Sequence, residues 1–321
     1  MKNITDMKNS FFARHETFCP RYGWLKKGYD RVAGYNGHSD DPRIFDAEDA
    51  IERLGVGKNM VRSMRFWCMA FKVIESDNLA EGDPIRIGGP MKPTDFGQNL
   101  LSETGWDPFL EDPASLWLLH WKLFTHPVMA SAWAMSINLN IPGAFTINDL
   151  GRMISDQKNN TPELKRMADS SFQKDASCFV RMYAAASAGS TRQGSEEIEC
   201  PFTQLGLLAP GDSPQQHYFN TDDKPELPDL IFLAACFEYA ALDDRQVNTI
   251  SLNRLTYGVN SPGMVFKLSE SDVGNRIERS INNLDGVIFT ESYGNRQLQF
   301  EVPPMTLAED ALRNHYKTDM G

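Results

Sequence analysis

Residues 50–72 read AIERLGVGKNMVRSMRFWCMAFK, and this stretch predicts a helix-turn-helix. Such a motif needs a small residue in its first helix, a tight turn at positive φ, and apolar residues that hold the second helix across the first. Ala50, the turn Gly55–Gly57 and Val61 supply these features in the right order. We expect the second helix to run from the end of this turn to about Ile74.

The second predicted helix has two distinct faces. Apolar residues recur along one face, at Val61, Met64, Cys68 and Phe71. Cations occupy another, at Lys58, Arg62, Arg65 and Lys72, with no acidic residue between Lys58 and Ile74. Four cations in this arrangement predict contact with DNA phosphates, and Asn59 in the first turn is placed to reach a base edge. The alternative is an ordinary helical hairpin with a solvated basic face.

The same turn is not a phosphate-binding loop for nucleotides. A Walker A motif has a glycine five positions before its Gly-Lys pair and a Ser or Thr after the lysine. Glu52 and Asn59 occupy these two positions. The sequence therefore predicts no nucleotide cofactor.

Charge is unevenly distributed along the chain. The 321 residues carry a net charge of −11, which by itself argues against a nucleic-acid-binding protein. Residues 1–74 hold 13 Lys and Arg against 9 Asp and Glu, whereas the remainder holds 19 against 34. A net charge of +4 at the N-terminus and −15 elsewhere allows local phosphate contact, and the acidic part would face a protein partner.

Local signals place further elements along the chain. Residues 114–124 are apolar nearly all round and predict a buried helix, and residues 187–199 have the composition of a linker. Residues 287–291 and 296–300 flank a turn and predict a β-hairpin. Three pairs have capping-box or similar spacing and predict helix starts: Asp46 with Asp49, Thr146 with Asp149, and Ser269 with Asp272.

These elements predict a mainly α fold with small β wings, in which winged-helix-like N- and C-terminal units flank a helical middle. The expected domains are residues 1–94, a helix-turn-helix or winged-helix-like DNA-binding domain; residues 95–190, a helical domain; and residues 191–321, a winged-helix-like domain. A second DNA reader at Arg276 and Arg279 is conceivable, but acids share their helix and favour a structural role.

The composition favours a cytoplasmic protein without a membrane partner. No apolar run is long enough to cross a bilayer, and the N-terminus lacks the apolar core of a signal peptide. The five cysteines form no C-x-x-C pair, so a zinc site of that kind is not expected. We expect reduced and buried thiols.

Several motifs resemble the SspB family of bacterial DNA phosphorothioation clusters. They are HETF at residues 15–18, PRYGWLKKG at 20–28, LGVGKNMVRS at 54–63 followed by Trp67-Cys68, and GWDPFLEDP at 105–113. The resemblance implies a component of an antiphage defence system that nicks DNA so that sulfur can enter its backbone. It also implies partners resembling a cysteine desulfurase, an ATPase and an ATP-pyrophosphatase-like protein.

Two constellations are candidates for cutting DNA with Mg²⁺ or another divalent cation. In the first, His15 is the general base, Glu16 is a metal ligand, and Arg21, Lys26 and Lys27 hold the phosphate. The alternative is a structural segment whose cations only grip DNA. The second places a metal on Asp107, Glu111 and Asp112, although helix capping before Pro113 explains the same acids. His120, between Leu119 and Trp121, is expected to be a hydrogen-bonded core residue.

Three functions follow from these observations. The first is a DNA-nicking subunit of a phosphorothioation system that holds DNA through the cationic face. The second is a non-catalytic DNA-binding adaptor that recruits the sulfur-transfer partners. The third is a transcriptional regulator of such a cluster.

Overall fold

The computed structural model describes residues 11–35, 37–77, 85–141, 143–159, 161–184, 200–243, 248–292 and 294–318. In chain order the helices of these residues are α1 Trp24–Ala33, α2 Ala50–Leu54, α3 Lys58–Ala70, α4 Asp95–Leu101, α5 Pro113–Lys122, α6 Ser131–Asn138, α7 Ile147–Asp156, α8 Asp169–Tyr183, α9 Asp229–Asp243, α10 Leu252–Tyr257, α11 Pro262–Phe266, α12 Glu270–Ser280 and α13 Pro304–Thr318. The strands are β1 Ile74–Ser76, β2 Met91–Pro93, β3 Phe145–Thr146, β4 Leu208–Pro210, β5 Gln216–Phe219, β6 Thr249–Ser251, β7 Val287–Ser292 and β8 Asn295–Phe300. The expected mainly α fold with small β elements is confirmed.

The chain divides into two compact units. The first comprises Met1–Asp112 with Pro127–Phe219, and the second Pro113–His126 with Asn220–Gly321. This grouping differs from the predicted boundaries at residues 94 and 190, because α5 packs with α9 and so joins the second unit. No helix in the described residues is both long and apolar enough to cross a membrane.

The helix-turn-helix of the first unit is built on the predicted glycines. Gly55 ends α2 at φ 63°, in the left-handed region that glycine adopts without strain. α1 packs across α3 at Gly28, where an added Cβ would lie 2.6 Å from the sulfur of Cys68. The predicted cap at Asp46 is wrong. Its carboxylate instead accepts hydrogen bonds from Arg65 and from the backbone of Gly89.

A short antiparallel hairpin follows α3 in the first unit. Its strands β1 and β2 pair in the register Ile74 with Pro93. The second strand begins at Met91, and the described residues 85–90 before it are in neither a helix nor a strand. The order helix, turn, helix, hairpin is therefore observed.

The middle of the chain contains a sheet that the sequence did not reveal. Strand β3 pairs with β5, which pairs with β4, so the sheet order is β3-β5-β4. Phe145 pairs with His217, so this sheet includes residues on both sides of residue 190, where the helical domain was expected to end. The capping box of Thr146 and Asp149 is confirmed at the start of α7. The predicted linker at residues 187–199 lies outside the described residues.

The second unit repeats this arrangement of elements. Strand β6 leads directly into α10, α12 begins with the predicted capping box of Ser269 and Asp272, and the predicted hairpin is formed by β7 and β8. The sheet order is β6-β8-β7, with the last strand in the centre as in the first unit. His120 on α5 is buried and its Nε2 lies 3.0 Å from the carbonyl oxygen of Val265, which confirms the expected core histidine.

Candidate nucleic-acid interface

The exposed part of α3 is its first half. Lys58, Asn59 and Arg62 are exposed, whereas Val61 and Met64 are buried. The N-cap residue is glycine, which has no side chain to cover the backbone N–H groups of the first turn. Positively charged side chains and the positive end of the helix dipole therefore lie on one surface, an arrangement that favours anions.

Arg62 is the cation best placed on this surface. Half of its side chain is exposed, and the nearest carboxylate oxygen, on Glu16, lies 3.8 Å from its Nη1. That distance allows electrostatic attraction without a short hydrogen bond. A phosphate approaching from solvent would meet a guanidinium that retains donors for it.

Two further predicted cations lie in the segment that leads to this surface. Lys27 is exposed, and its Nζ donates to the carbonyl oxygen of Leu54 at 3.2 Å, beside the turn that precedes α3. Arg21 is partly exposed, and its guanidinium carbon lies 5.7 Å and 5.6 Å from the ring centres of Phe18 and Trp24. Packing on aromatic rings fixes the plane of this guanidinium. Both residues remain candidates for phosphate contact.

Three of the predicted DNA-contacting cations are engaged elsewhere. Lys26 is buried, and its Nζ donates to Asp30 at 2.7 Å and to a backbone carbonyl at 3.0 Å. Arg65 forms an ion pair with Asp46 at 2.6 Å, with only 12% of its side chain exposed. Of the four cations predicted on one face of this helix, Lys58 and Arg62 are exposed, whereas Arg65 is held by Asp46.

Lys72 is the third of these displaced cations. It lies beyond the end of α3 at Ala70, and its backbone adopts φ 62°. Its Nζ donates to the carbonyl oxygen of Pro127. The continuation of the helix to Ile74 is thus wrong, because the chain reverses and Ile74 begins β1.

His15 is a buried structural residue and not an exposed general base. Its exposed fraction is 1%, and its Nε2 lies 2.5 Å from a carboxylate oxygen of Asp175. Its Nδ1 accepts a hydrogen bond from the backbone N–H of Thr17 at 3.1 Å, so both ring nitrogens are occupied. The imidazole is packed against Trp67 and Trp133. Neither nitrogen faces solvent, which favours the structural alternative over the predicted role of His15 in activating water.

The segment around His15 has an unusual backbone. Ala13, Glu16 and Thr17 all adopt positive φ, which costs non-glycine residues energy. Three long-range hydrogen bonds hold this conformation. Asp175 accepts from the backbone of Ala13, Arg181 donates to the carbonyl of Thr17, and the indole of Trp67 donates to the carbonyl of residue 18. Sequence reasoning missed Asp175 and Arg181, because both lie about 160 positions away on α8.

The second predicted metal site is a turn. Both carboxylate oxygens of Asp107 accept backbone N–H groups, from Glu111 at 2.9 Å and Asp112 at 3.0 Å. The carboxylate of Asp107 therefore stabilises the turn that precedes α5. Across the described residues, no three His, Cys, Asp or Glu side chains are placed to hold a metal ion. Glu16, the other predicted ligand, is therefore not part of such a group in the described residues.

Comparisons with known proteins identify the family of this chain. The family described as "Protein of unknown function (DUF4007)" matches residues 12–316. A crystal structure of SspB is 34% identical and a magnesium ion-bound crystal structure of SspB is 35% identical, each with a TM-score of 0.85 over 96% of this chain and 88% of that chain. No curated protein sequence matches the chain. The chain therefore belongs to the DUF4007 family and, as the SspB-like motifs predicted, is a relative of SspB.

Proposed function

We propose that this protein is a DNA-binding component of a bacterial phosphorothioate modification and antiphage defence system. The similarity to SspB supports the system, and the exposed first half of α3 supports contact with DNA. The partners implied by the resemblance, a cysteine desulfurase, an ATPase and an ATP-pyrophosphatase-like protein, belong to the same proposal. The acidic remainder of the chain is the surface we assign to protein partners.

The observation that carries this proposal is the placement of Lys58, Asn59 and Arg62. In helix-turn-helix proteins the first residues of the second helix contact base edges, while the rest of that helix packs against the fold. α3 has this division, since its exposed residues lie in its first two turns and its second half is largely buried. We assign phosphate contact to Lys58 and Arg62, and base contact to Asn59.

The order of elements supports winged-helix modules. A winged helix has three helices and a hairpin, with a short strand after the first helix that pairs with the last strand. Residues 131–219 follow this order, and residues 229–300 follow it with one additional short helix, α11; their sheets run β3-β5-β4 and β6-β8-β7. Residues 24–93 have the three helices and the hairpin without the short strand among their described residues. We propose three modules, of which the first binds DNA.

The distribution of charged residues favours DNA binding by the first module over binding by the C-terminal module. The outward side of α12 carries the acids Glu270, Asp272 and Glu278. Arg276 is buried and Arg279 is paired with Asp229, so the possible second reader is a structural ion-pair network. An acidic helix face repels phosphate. The C-terminal module thus fits a protein partner better than DNA.

Binding of a 30-base-pair duplex, followed by fluorescence anisotropy, tests the proposed surface. We expect the double substitution Lys58→Glu with Arg62→Glu to abolish measurable binding. For Lys58→Ala, we expect the slope of the logarithm of the binding constant against the logarithm of salt concentration to decrease in magnitude by about one, which corresponds to one lost phosphate contact. The single variant Arg62→Glu should lose most of its binding, and Arg313→Glu, which changes the net charge by the same amount, is its matched control. Arg313 has similar exposure, at 55%, and a similar loose pairing with Glu309 at 3.5 Å. Equal loss in both charge-reversal variants would show that net charge, and not this surface, governs binding.

DNA nicking is the second candidate function, and the magnesium ion-bound relative is the observation that favours it. The described residues do not fit a three-ligand magnesium site, so we assign no residue to hold the ion and derive no step through it. Incubation with supercoiled plasmid, with Mg²⁺, with Mn²⁺ and with a chelator, measures conversion to open circles. Absence of conversion under both metals would exclude nicking by this chain alone and leave the adaptor function. A sequence-specific footprint at a promoter would favour a regulator.

Glu16→Gln separates the two roles of this carboxylate. If Glu16 only attracts Arg62, the neutral variant should bind DNA somewhat more tightly, because a competing anion beside the phosphate site is removed. If Glu16 holds a metal, nicking should be lost while binding stays the same. The anisotropy and plasmid assays on this one variant therefore give opposite outcomes for the two roles.

A further inference from the structure

Three of the five cysteines meet inside the first unit. The sulfur of Cys19, in the segment before α1, lies 3.5 Å from the sulfur of Cys178 on α8. The thiol of Cys200 lies 3.8 Å from the carbonyl oxygen of Met182 on α8 and contributes to lowering the pKa of Cys19. Cys178 and Cys200 are buried, whereas Cys19 is partly exposed, and all are free thiols. The expectation of buried thiols therefore holds for every cysteine except the one at position 19.

Cys19 also has the environment of a reactive thiolate. Hydrogen bonds from the thiols of Cys178 and Cys200, with the positive charge of Arg181 nearby, lower the pKa of Cys19 well below its ordinary value. Burial raises the pKa of Cys68 and Cys236, which have no such partners to offset it. The thiolate is the nucleophilic form of cysteine. Reactivity is thus concentrated on the one cysteine that solvent reaches.

We propose that Cys19 is a site of oxidation by hydroperoxides and that Cys178 converts the product into an intramolecular disulfide. The Cys19 thiolate attacks a peroxide oxygen, the O–O bond breaks, and hydroxide or alkoxide leaves, so that sulfur gives two electrons and becomes a sulfenic acid. The Cys178 sulfur then attacks the Cys19 sulfur. The S–O bond breaks, and the hydroxyl leaves as water with the proton of the Cys178 thiol.

The geometry requires only a small movement for the second step. A disulfide bond is about 2.05 Å long, so the two sulfurs must approach by about 1.5 Å from their separation of 3.5 Å. Cys178 is fixed within a helix, and Cys19 lies in a segment without regular secondary structure. Arg181, one turn after Cys178, donates to the carbonyl of Thr17 at 2.5 Å and keeps this segment beside α8. The proposal does not depend on DNA binding.

Peptide mapping of the full-length protein tests the disulfide. The folded protein is treated with graded hydrogen peroxide, free thiols are blocked with N-ethylmaleimide under denaturing conditions, and the unreduced digest is analysed by mass spectrometry. We expect a peptide in which Cys19 is joined to Cys178, and loss of two of the five free thiols. Cys68 and Cys236 serve as internal controls and should carry the blocking group.

Variants identify the order of the two steps. In Cys178→Ser, the sulfenic acid on Cys19 should persist and react with dimedone, whereas Cys19→Ser should keep Cys178 reduced. A disulfide between Cys19 and Cys200, or between two chains, would overturn the assignment of Cys178. Equal oxidation of Cys19 and the two control cysteines would overturn the assignment of Cys19. The wild-type mapping decides the proposal even if a variant fails to fold.

Discussion

Replacing Asp175 with alanine is expected to destabilise the first unit by about 3 kcal/mol. One carboxylate oxygen accepts two hydrogen bonds, from the backbone N–H of Ala13 at 2.9 Å and from the Nε2 of His15 at 2.5 Å. Alanine leaves both donors without this acceptor, and an unsatisfied buried donor costs about 1 to 3 kcal/mol. We expect a cost below the sum of the upper values for the two donors, because the buried, charged carboxylate of Asp175 is itself disfavoured. Burial raises the pKa of Asp175 for this reason.

The asparagine variant separates the hydrogen bonds from the charge. Asp175→Asn keeps an acceptor oxygen of the same shape, so we expect it to lose about 1 kcal/mol or less. Urea unfolding followed by tryptophan fluorescence measures both variants, because the rings of Trp67 and Trp133 lie 6.2 Å and 5.5 Å from the ring of His15. For an unfolding slope of about 3 kcal/mol per molar urea, alanine should lower the midpoint by about 1 M.

Two outcomes would refute this reasoning. An alanine variant as stable as the wild type would show that the segment around His15 is held by other contacts. An asparagine variant as unstable as the alanine variant would show that the charge of Asp175, and not its hydrogen bonds, is what matters. A stable asparagine variant that lost a nicking activity would restore a catalytic role for His15, since Asp175 would then orient a working base.

Three further predictions use the same unfolding assay. Gly97→Ala should cost several kcal/mol, because its Cβ would lie 2.1 Å from the carbonyl oxygen of Val73. Arg276→Met should lower the free energy of unfolding of the second unit by about 3 to 5 kcal/mol, because it leaves buried acceptors unpaired. Arg279→Met removes an exposed ion pair and should lower it by less than about 1 kcal/mol. Burial lowers the pKa of His120 to about 4. Below about pH 6.5 this histidine is therefore protonated in the unfolded chain but stays neutral in the folded chain. The free energy of unfolding should consequently fall by about 3 kcal/mol between pH 6.5 and pH 4. His120→Gln should remove that part of the pH dependence, and an unchanged profile would contradict the assignment.

Local signals in the sequence predicted local structure well. Two of the three predicted capping pairs, the turn at Gly55 and the hairpin of β7 and β8 were found where their residues indicated them. Each depends on residues within a few positions of one another, whose hydrogen bonds form regardless of the rest of the fold. The type of secondary structure was therefore predictable where the stabilising contacts join residues that are close together in the sequence.

Long-range contacts account for what the sequence could not show. Strand β3 has only two residues and no alternating pattern, and it exists because β5 pairs with it about seventy positions later. The residues that follow the end of α3 at Ala70 include neither glycine nor proline, so the sequence pattern predicted a helix as far as about Ile74. Cations are especially easy to misplace, since Lys26 satisfies helical spacing and yet is buried against Asp30. Periodicity assigns residues to faces, but only the fold determines which faces reach solvent.

The segment before α1 shows why a motif of reactive residue types is a poor guide to chemistry. His15 and Glu16 are adjacent, but the positive φ values of residues 13, 16 and 17 turn the imidazole inward and leave the carboxylate beside Arg62. Strained backbone of this kind persists only where surrounding groups hold it, and α8 supplies those groups. The histidine therefore fixes the segment, and the segment in turn positions Glu16 against the proposed DNA-binding cation. We therefore expect substitutions in the HETF motif to affect DNA binding through Arg62.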